Sequence, residues 1–185
     1  HMSEQTIKNS SQFLDPNKLF SFFQVEEGMK IADFGAGSGY ITFLAASLLG
    51  KRGIIYALDI KKSVISHLQN EVKQKDIDQL KPIWTNLEMV SYNPIEKATI
   101  DIVLIITMLF QSVKHKEILT EAHRVLKQGG IVVVVDWKKI KTPFGPPVDE
   151  RIDLEKLKEI AYTIGLHRLN EFEPSPYHFG IIFKK

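Results

Sequence analysis

Cysteine is absent from the chain, which removes disulfides, thiolate metal sites and a cysteine nucleophile at once. Long apolar runs are also missing, since none approaches the roughly 20 residues that a membrane-spanning helix needs. Excess charge of one sign is lacking too. The 24 basic and 22 acidic side chains leave a net charge of +2, too little by itself to imply nucleic acid or an anionic membrane as partner. The sequence shows no internal repeats and no histidine pair at metal-ligand spacing, so no resident metal is expected. His1-Met2 reads as a cloning remnant with no secretory leader behind it, and the expected location is a reducing cytoplasm. What is present is ordinary for a folded chain: 185 residues, 44% hydrophobic and 25% charged, enough for one domain with one sizeable core.

The most informative stretch is Ile31–Tyr40, IADFGAGSGY. Met29–Phe34 reads as a short buried strand and Ile41–Leu49 as an apolar helix stopped by Gly50, with Asp33-x-Gly35-x-Gly37-x-Gly39 between them. Glycine there permits positive φ and close backbone approach, and free N–H groups opening the next helix favour an anionic group. Two cofactor classes use such a bend. The dinucleotide fingerprint G-x-G-x-x-G places its third glycine where this chain has Tyr40, whereas here the third glycine falls one residue earlier. Lys51–Ile60 supplies a turn and a second strand, IIYALD, ending in Asp59. A carboxylate at that tip can accept both hydroxyls of a ribose in cofactors of either class.

Strands and helices alternate along the rest of the chain. Asp15-Pro16 caps a short helix expected to run through Phe23. Val64, Ile65, Leu68 and Val72 share one helical face, and Lys81–Thr85 is a third strand. Ile100–Ile106, apolar on both faces, is expected to be a central parallel strand. Lys116–Lys127 follows as an amphipathic helix stopped by Gly129-Gly130, and Ile131–Trp137 is the fifth strand. After the linker KTPFGPP, Asp153 caps a helix over Leu154–Ile164 that Gly165 ends. Leu166–Phe172 and Tyr177–Phe183, split by EPSP, form a hairpin rather than a helical crossover.

The spacing D-x-G-x-G-x-G resembles motif I of the class I S-adenosylmethionine-dependent methyltransferases, and a parallel sheet closing in an antiparallel pair is similar to their seven-stranded fold. The resemblance covers the chain from about Phe13 onward. It implies an α/β, Rossmann-like sheet of order 3-2-1-4-5-7-6, strand 7 antiparallel, with helices on both faces. Residues 29–185 would form the methyltransferase domain, preceded by a tag remnant and lid or cap helix over 1–28. FLDP, VLKQGG, GPPVDERI and PYHFGIIF give the chain the look of the small-molecule branch related to ubiquinone/menaquinone-biosynthesis methyltransferases. Where that family often has an acidic residue near the adenine, this chain has Asn86, whose amide can serve as donor or acceptor.

Carried over residue by residue, the resemblance implies a pocket for S-adenosylmethionine, with S-adenosylhomocysteine as product. Gly35, Ala36 and Gly37 would line the methionine portion, Asp33 would hold the loop, and Gly39 and Tyr40 would open the helix beside the carboxylate end. Asp59 would take the ribose hydroxyls, Ile60 the adenine ring, Asn86 and Leu87 the adenine edge. Thr107 would offer its carbonyl to the methionine ammonium. Met108, Leu109 and Phe110 stand equally as pocket wall or core.

A sulfonium methyl is already electrophilic, so in-line alignment is the main task and no shared base is required. For an acceptor that must lose a proton, the candidate bases are Asp136, Tyr177 and His178, each with an equally simple structural use. Asn93-Pro94-Ile95 is similar to the N-P-P-Y signature of amino-directed nucleic-acid methylases but precedes the fourth strand instead of following it. Missing cysteine excludes the covalent route to 5-methylcytosine. Three functions remain open: methyl transfer to a small molecule, the same transfer to protein lysine or RNA, and a non-catalytic cofactor-binding module. The expected state is a monomer or homodimer without nucleic acid or a membrane span.

Overall fold

The computed structural model describes residues 14–185, so Phe13 and the tag remnant lie outside the described residues. Chain order is α1 (Pro16–Leu19), β1 (Lys30–Phe34), α2 (Tyr40–Leu49), β2 (Ile54–Asp59), α3 (Lys62–Lys75), β3 (Leu80–Trp84) and β4 (Ile100–Ile106). There follow α4 (His115–Val125), β5 (Leu126–Trp137), α5 (Leu154–Ile164), β6 (His167–Ser175) and β7 (His178–Lys184). Short 3-10 turns occupy Leu109–Gln111 and Val148–Glu150. The strands form one sheet of order β3-β2-β1-β4-β5-β7-β6, with β7 antiparallel to both neighbours and the other pairs parallel.

The apolar run of β4 explains its central place. Val103 and Ile105 belong to a core layer with α4 and α5, while Ile102, Leu104 and Ile106 belong to a second layer with α1 and α2. Val132 and Val134 against Val133 and Val135 repeat that division in β5. Strands buried on both faces need this unbroken hydrophobicity, and each fully buried aliphatic side chain contributes about 1.5–3 kcal/mol over an exposed one. Strand tips carrying Asp33, Asp59, Ile106 and Trp137 therefore emerge along one edge, the side on which ligands bind in open α/β sheets.

Four expectations are corrected. Helix α1 ends at Leu19 instead of Phe23; Asp15 does cap it, accepting from Asn17 N at 2.9 Å. Beyond it Phe22 stacks on Phe172 of β6 at 4.5 Å and Phe23 is buried in the second layer, so this segment packs on the sheet and its phenylalanines serve that layer, not a lid. Gly129-Gly130 does not stop α4. The helix ends at Val125 because Leu126 already pairs with Ile100, and the glycines sit in a register shift inside β5. A Cβ on Gly130 would lie 2.9 Å from Leu126 Cδ2 and 3.1 Å from the Asp101 carbonyl, which is why that bulge is glycine. The final hairpin turns on Pro176-Tyr177 alone, because Glu173-Pro174-Ser175 remains in β6, where Pro174 is tolerated at a second register shift. By contrast α5 keeps its expected ends, with Asp153 Oδ1 accepting from Glu155 N at 3.1 Å and Gly165 left-handed at φ 95°.

Candidate functional site

The glycine bend between β1 and α2 is fastened by three successive N–H groups to two acceptors on β2. Gly35 N and Ala36 N both donate to the Leu58 carbonyl, at 2.8 and 3.1 Å, and Gly37 N donates to Asp59 Oδ2 at 3.1 Å. The three glycines serve different ends. A Cβ on Gly35 would meet Met108 Cγ at 2.7 Å, and one on Gly39 would meet Leu68 and Phe43 at the same distance. Gly37 alone of the three has nothing within 4 Å of its missing Cβ, so it presents bare backbone to open space. Gly39, at φ 84°, opens α2 without a side-chain cap, and Tyr40 after it is exposed. Met108, even-handed in the sequence, thus serves as the backing of the bend.

Asp33 is buried and accepts from Thr42 Oγ1 in the first turn of α2 at 2.6 Å. Burial, and secondarily the nearby Asp59 charge, raise its carboxyl to about 6 against the lowering effect of Thr42. Asp59 is half-buried, and its second oxygen accepts from Lys61 N at 2.9 Å. A carboxylate has about four acceptor positions, so these two backbone bonds orient the group and leave capacity for a diol. Ile60 is exposed beside it, and its carbonyl accepts from Trp84 Nε1 at 2.7 Å.

Across the tip of β3, Asn86 Oδ1 accepts from Glu88 N at 3.0 Å, which fixes its turn, while Leu87 is buried in the first core layer. Thr85, which the sequence reading passed over, is more informative. Its N–H donates to the Asp59 carbonyl at 3.0 Å, and its buried Oγ1 has no hydrogen-bonding partner. An alternating strand pattern gives no warning of an orphaned hydroxyl.

The segment from Asn86 to Thr99 carries no helix and is held by fully buried Glu121 of α4. Glu121 Oε1 accepts from Ser91 N at 2.6 Å and Arg124 Nε at 2.8 Å, and Oε2 accepts from Asn93 Nδ2 and from Arg124 Nη2 at 2.9 Å. Asn93-Pro94-Ile95 is therefore a structural turn, with Asn93 Oδ1 accepting from Ile95 N at 2.9 Å.

Past β4, Thr107 is left-handed at φ 50° and donates to the Val135 carbonyl at 2.7 Å; its own carbonyl accepts from Gln111 Nε2 at 3.4 Å. Leu109 and Phe110 are core. Asp136 is fully buried, with Oδ1 taking Trp137 N at 2.8 Å and Oδ2 taking Phe110 N at 3.3 Å. Burial lifts its carboxyl to about 7 although the backbone donors pull the other way. That value suits a base, but both oxygens are occupied by backbone and none of the side chain is exposed. His178 is also fully buried, and Tyr177 is half-buried with its ring 4.7 Å from Phe144. All three lie at the strand-tip end of the β5–β7 pair; Asp136 and His178 are closed off from solvent, and Tyr177 is partly exposed.

A strap over residues 138–147 crosses the β5 tip and is gathered by Arg151. This buried guanidinium donates from Nε to Pro146 O at 2.9 Å, from Nη1 to Lys138 O and Ile140 O at 3.2 and 2.8 Å, and from Nη2 to Thr142 Oγ1 and Phe144 O at 2.7 and 3.2 Å. Its Cζ lies 5.3 Å from the Trp137 ring centre.

Residues 25–161 match the family described as methyltransferase domain. Among curated relatives, an arsenite methyltransferase of Halobacterium salinarum is 24% identical over 137 residues, covering 74% of this chain and 34% of that protein. A demethylmenaquinone methyltransferase of Bacillus pumilus is 28% identical over 120 residues, covering 65% of this chain and 50% of that one. The chain thus spans between a third and half the length of these relatives. A solved SAM-dependent methyltransferase from Aquifex aeolicus superposes with a TM-score of 0.87 at 22% identity, over 99% of this chain and 98% of that chain, a likeness of fold.

Proposed function

Because the chain belongs to the methyltransferase domain family, whose relatives draw on S-adenosylmethionine, we propose that it transfers the methyl group of that cofactor to a small-molecule acceptor. The single observation carrying this reading is the Gly37–Asp59 tie, which sets bare backbone beside a half-free carboxylate at adjacent strand tips.

The residues present fit the cofactor. Gly37 offers an uncovered surface for the amino-acid end, Asp59 retains acceptor positions for a ribose diol, and the unpaired Thr85 hydroxyl stands one strand further on, toward the base. The bound cofactor supplies an electrophilic methyl on a positively charged sulfur. Asp33 holds α2 in place through Thr42 and contributes negative potential beneath the bend. The protein's remaining work is to align the acceptor in line, a contribution of about 7–11 kcal/mol when positioning is good. Backbone occupancy of Asp136 favours an acceptor that arrives as a nucleophile over one deprotonated by that carboxylate. Both relatives are named for small acceptors, arsenite and demethylmenaquinone, which supports the small-molecule reading without choosing between them.

The test has two stages. Calorimetry should show binding of S-adenosylmethionine, and its absence would overturn the methyltransferase reading and leave a fold kept as an interaction partner. Metabolite pools, RNA and protein fractions incubated with radiolabelled methyl donor should then take up label in the small-molecule pool; label confined to RNA or protein would move the acceptor to a macromolecule.

A further inference from the structure

Three buried side-chain polar atoms among the described residues have no hydrogen-bond partner: Thr85 Oγ1, Trp137 Nε1 and His178 Nε2. Two of them belong to one ring pair. Trp137 and His178 face each other directly across β5 and β7, their ring centres lie 4.3 Å apart, and both side chains are fully buried. An unmet polar group in that position is costly, and the chain carries two together.

The protonation of His178 follows from counting hydrogens at Ser175. Ser175 Oγ accepts from Tyr177 N at 3.1 Å and lies 2.6 Å from His178 Nδ1. The hydroxyl has one hydrogen, and of its two neighbours only Nδ1 can accept it. Ser175 therefore donates to Nδ1, and a neutral imidazole so engaged carries its own hydrogen on Nε2. Neutrality agrees with the surroundings: burial first, then the Arg151 and Lys138 charges, lower the imidazole to about 4. No carboxylate contributes to that balance, and Lys138 is turned to Glu173 at 2.7 Å. The unpaired atoms are thus two N–H donors, and His178 in this state is a hydrogen-bond donor instead of a base.

Their place in the fold gives them a use. β5 is two strands from β1, about 10 Å at a spacing of about 4.8 Å, so the ring pair stands within a small molecule's length of the glycine bend. Above it lies the strap that Arg151 gathers. Gly145 of that strap packs on the six-membered edge of the indole, where a Cβ would come within 2.8 Å of Cζ3, leaving the Nε1 edge turned elsewhere.

We propose that, when the strap over residues 138–147 lifts, Trp137 Nε1–H and His178 Nε2–H together form an oxygen-recognition site for the methyl acceptor, taking a carbonyl or phenolate oxygen while the neighbouring atom of the acceptor receives the methyl. The proposal rests on the methyltransferase reading above. No bond forms or breaks at these nitrogens. They fix the orientation of an electron-rich oxygen group, and the strap, closed again, keeps water from the resulting hydrogen bonds, which strengthens them.

The chain has two tryptophans, so its indole N–H spectrum contains its own control. Trp84 Nε1 already donates to the Ile60 carbonyl. ¹⁵N-labelled protein saturated with S-adenosylhomocysteine is titrated with phenolate, acetone and, as an apolar control, toluene. Phenolate or acetone should move the Trp137 indole and His178 Nε2 signals downfield and saturably, leaving Trp84 in place, and toluene should move neither. Trp137→Phe should weaken the probe's effect on the His178 signal about fivefold while S-adenosylhomocysteine affinity is unchanged. If the indole signals stay fixed, or both tryptophans move alike, the oxygen site does not exist. Failure of S-adenosylhomocysteine to bind in the same samples would instead overturn the methyltransferase reading itself.

Discussion

Gly37 N donates to Asp59 Oδ2 at 3.1 Å, binding the bend after β1 to the tip of β2. The same carboxylate also receives Lys61 N, so its direction is set before any ligand arrives. Removing it loses an oriented charged acceptor and frees the bend together. Asp59→Ala should weaken S-adenosylmethionine binding at least tenfold by calorimetry, consistent with about 1.5–3 kcal/mol for hydrogen bonds to a charged group. Asp59→Asn, which keeps one acceptor oxygen, should fall between. An unaltered dissociation constant in the alanine variant would remove Asp59 from the site.

Asp33 links binding to pH. Its carboxyl titrates near 6 in the free protein because charge is costly in its buried position. A cationic ligand nearby lowers that value, so binding expels a proton wherever Asp33 is protonated. Affinity for S-adenosylmethionine should be level above pH 7 and decline by up to about tenfold toward pH 5, one unit being a factor of ten. Calorimetry in buffers of different ionisation enthalpy reads the proton release directly. Asp33→Asn should abolish that pH dependence.

Asp136 affects stability in the opposite direction from a salt-bridged carboxylate. Its folded value of about 7 exceeds the ordinary 3.8, so the folded state holds its proton more tightly. The resulting stabilisation is complete below about pH 4 and is lost as pH rises through 7. Thermal midpoints should therefore increase as pH is lowered from 8.5 to 6, and Asp136→Asn should flatten that slope. A slope identical in the variant would mean that the titration belongs elsewhere.

Gly35 is fixed by Met108. An added methyl would lie 2.7 Å from Met108 Cγ and would also demand φ 87° of an L-residue. Gly35→Ala should cost about 2–4 kcal/mol in denaturant unfolding, combining backbone strain and overpacking. Combining it with Met108→Ala should recover the overpacking part and leave the strain, a non-additivity that a double-mutant cycle measures.

The strap depends on the forked geometry of one guanidinium. Lysine supplies charge at a point but cannot reach five acceptors in a plane. Arg151→Lys should make trypsin cleavage after exposed Lys139 and Lys141 at least tenfold faster, with cleavage after Lys75 on α3 unchanged as the internal reference.

The sequence was most legible where one local rule governed. Ile100–Ile106 could be placed because two-sided burial demands an unbroken apolar run, and Leu154–Ile164 because Asp153 and Gly165 mark both ends. The sheet order followed from the short hairpin connection together with family resemblance. Illegible features came from contacts between distant residues. Gly129-Gly130 looks like a helix stop until Leu126 is seen paired with Ile100, and nothing local marks Glu121 as buried beneath the Asn93 turn. At the site, spacing marked Asp33, the glycines and Asp59 but could not divide labour among the glycines. Gly37 faces open space while its neighbours accommodate Met108, Leu68 and Phe43. Thr85 and Trp137 escaped notice because an unpaired buried atom is a property of three-dimensional surroundings and has no one-dimensional signature.

The inserted position of β7 has a temporal consequence. β6 joins the sheet only through β7, which lies between it and β5. Vectorial synthesis therefore delivers residues 167–175 to the ribosome exit before the strand that gives them a place exists. Until residues 178–184 follow, β5 keeps an open flank of unpaired backbone, the kind of edge on which nascent chains misassociate. A two-residue turn shortens that interval on the chain's side, since hairpins close in about 1–10 μs once both arms are free. The Trp137–His178 ring pair, made of one residue from each side of that seam, accordingly cannot form until residues 178–184 have emerged.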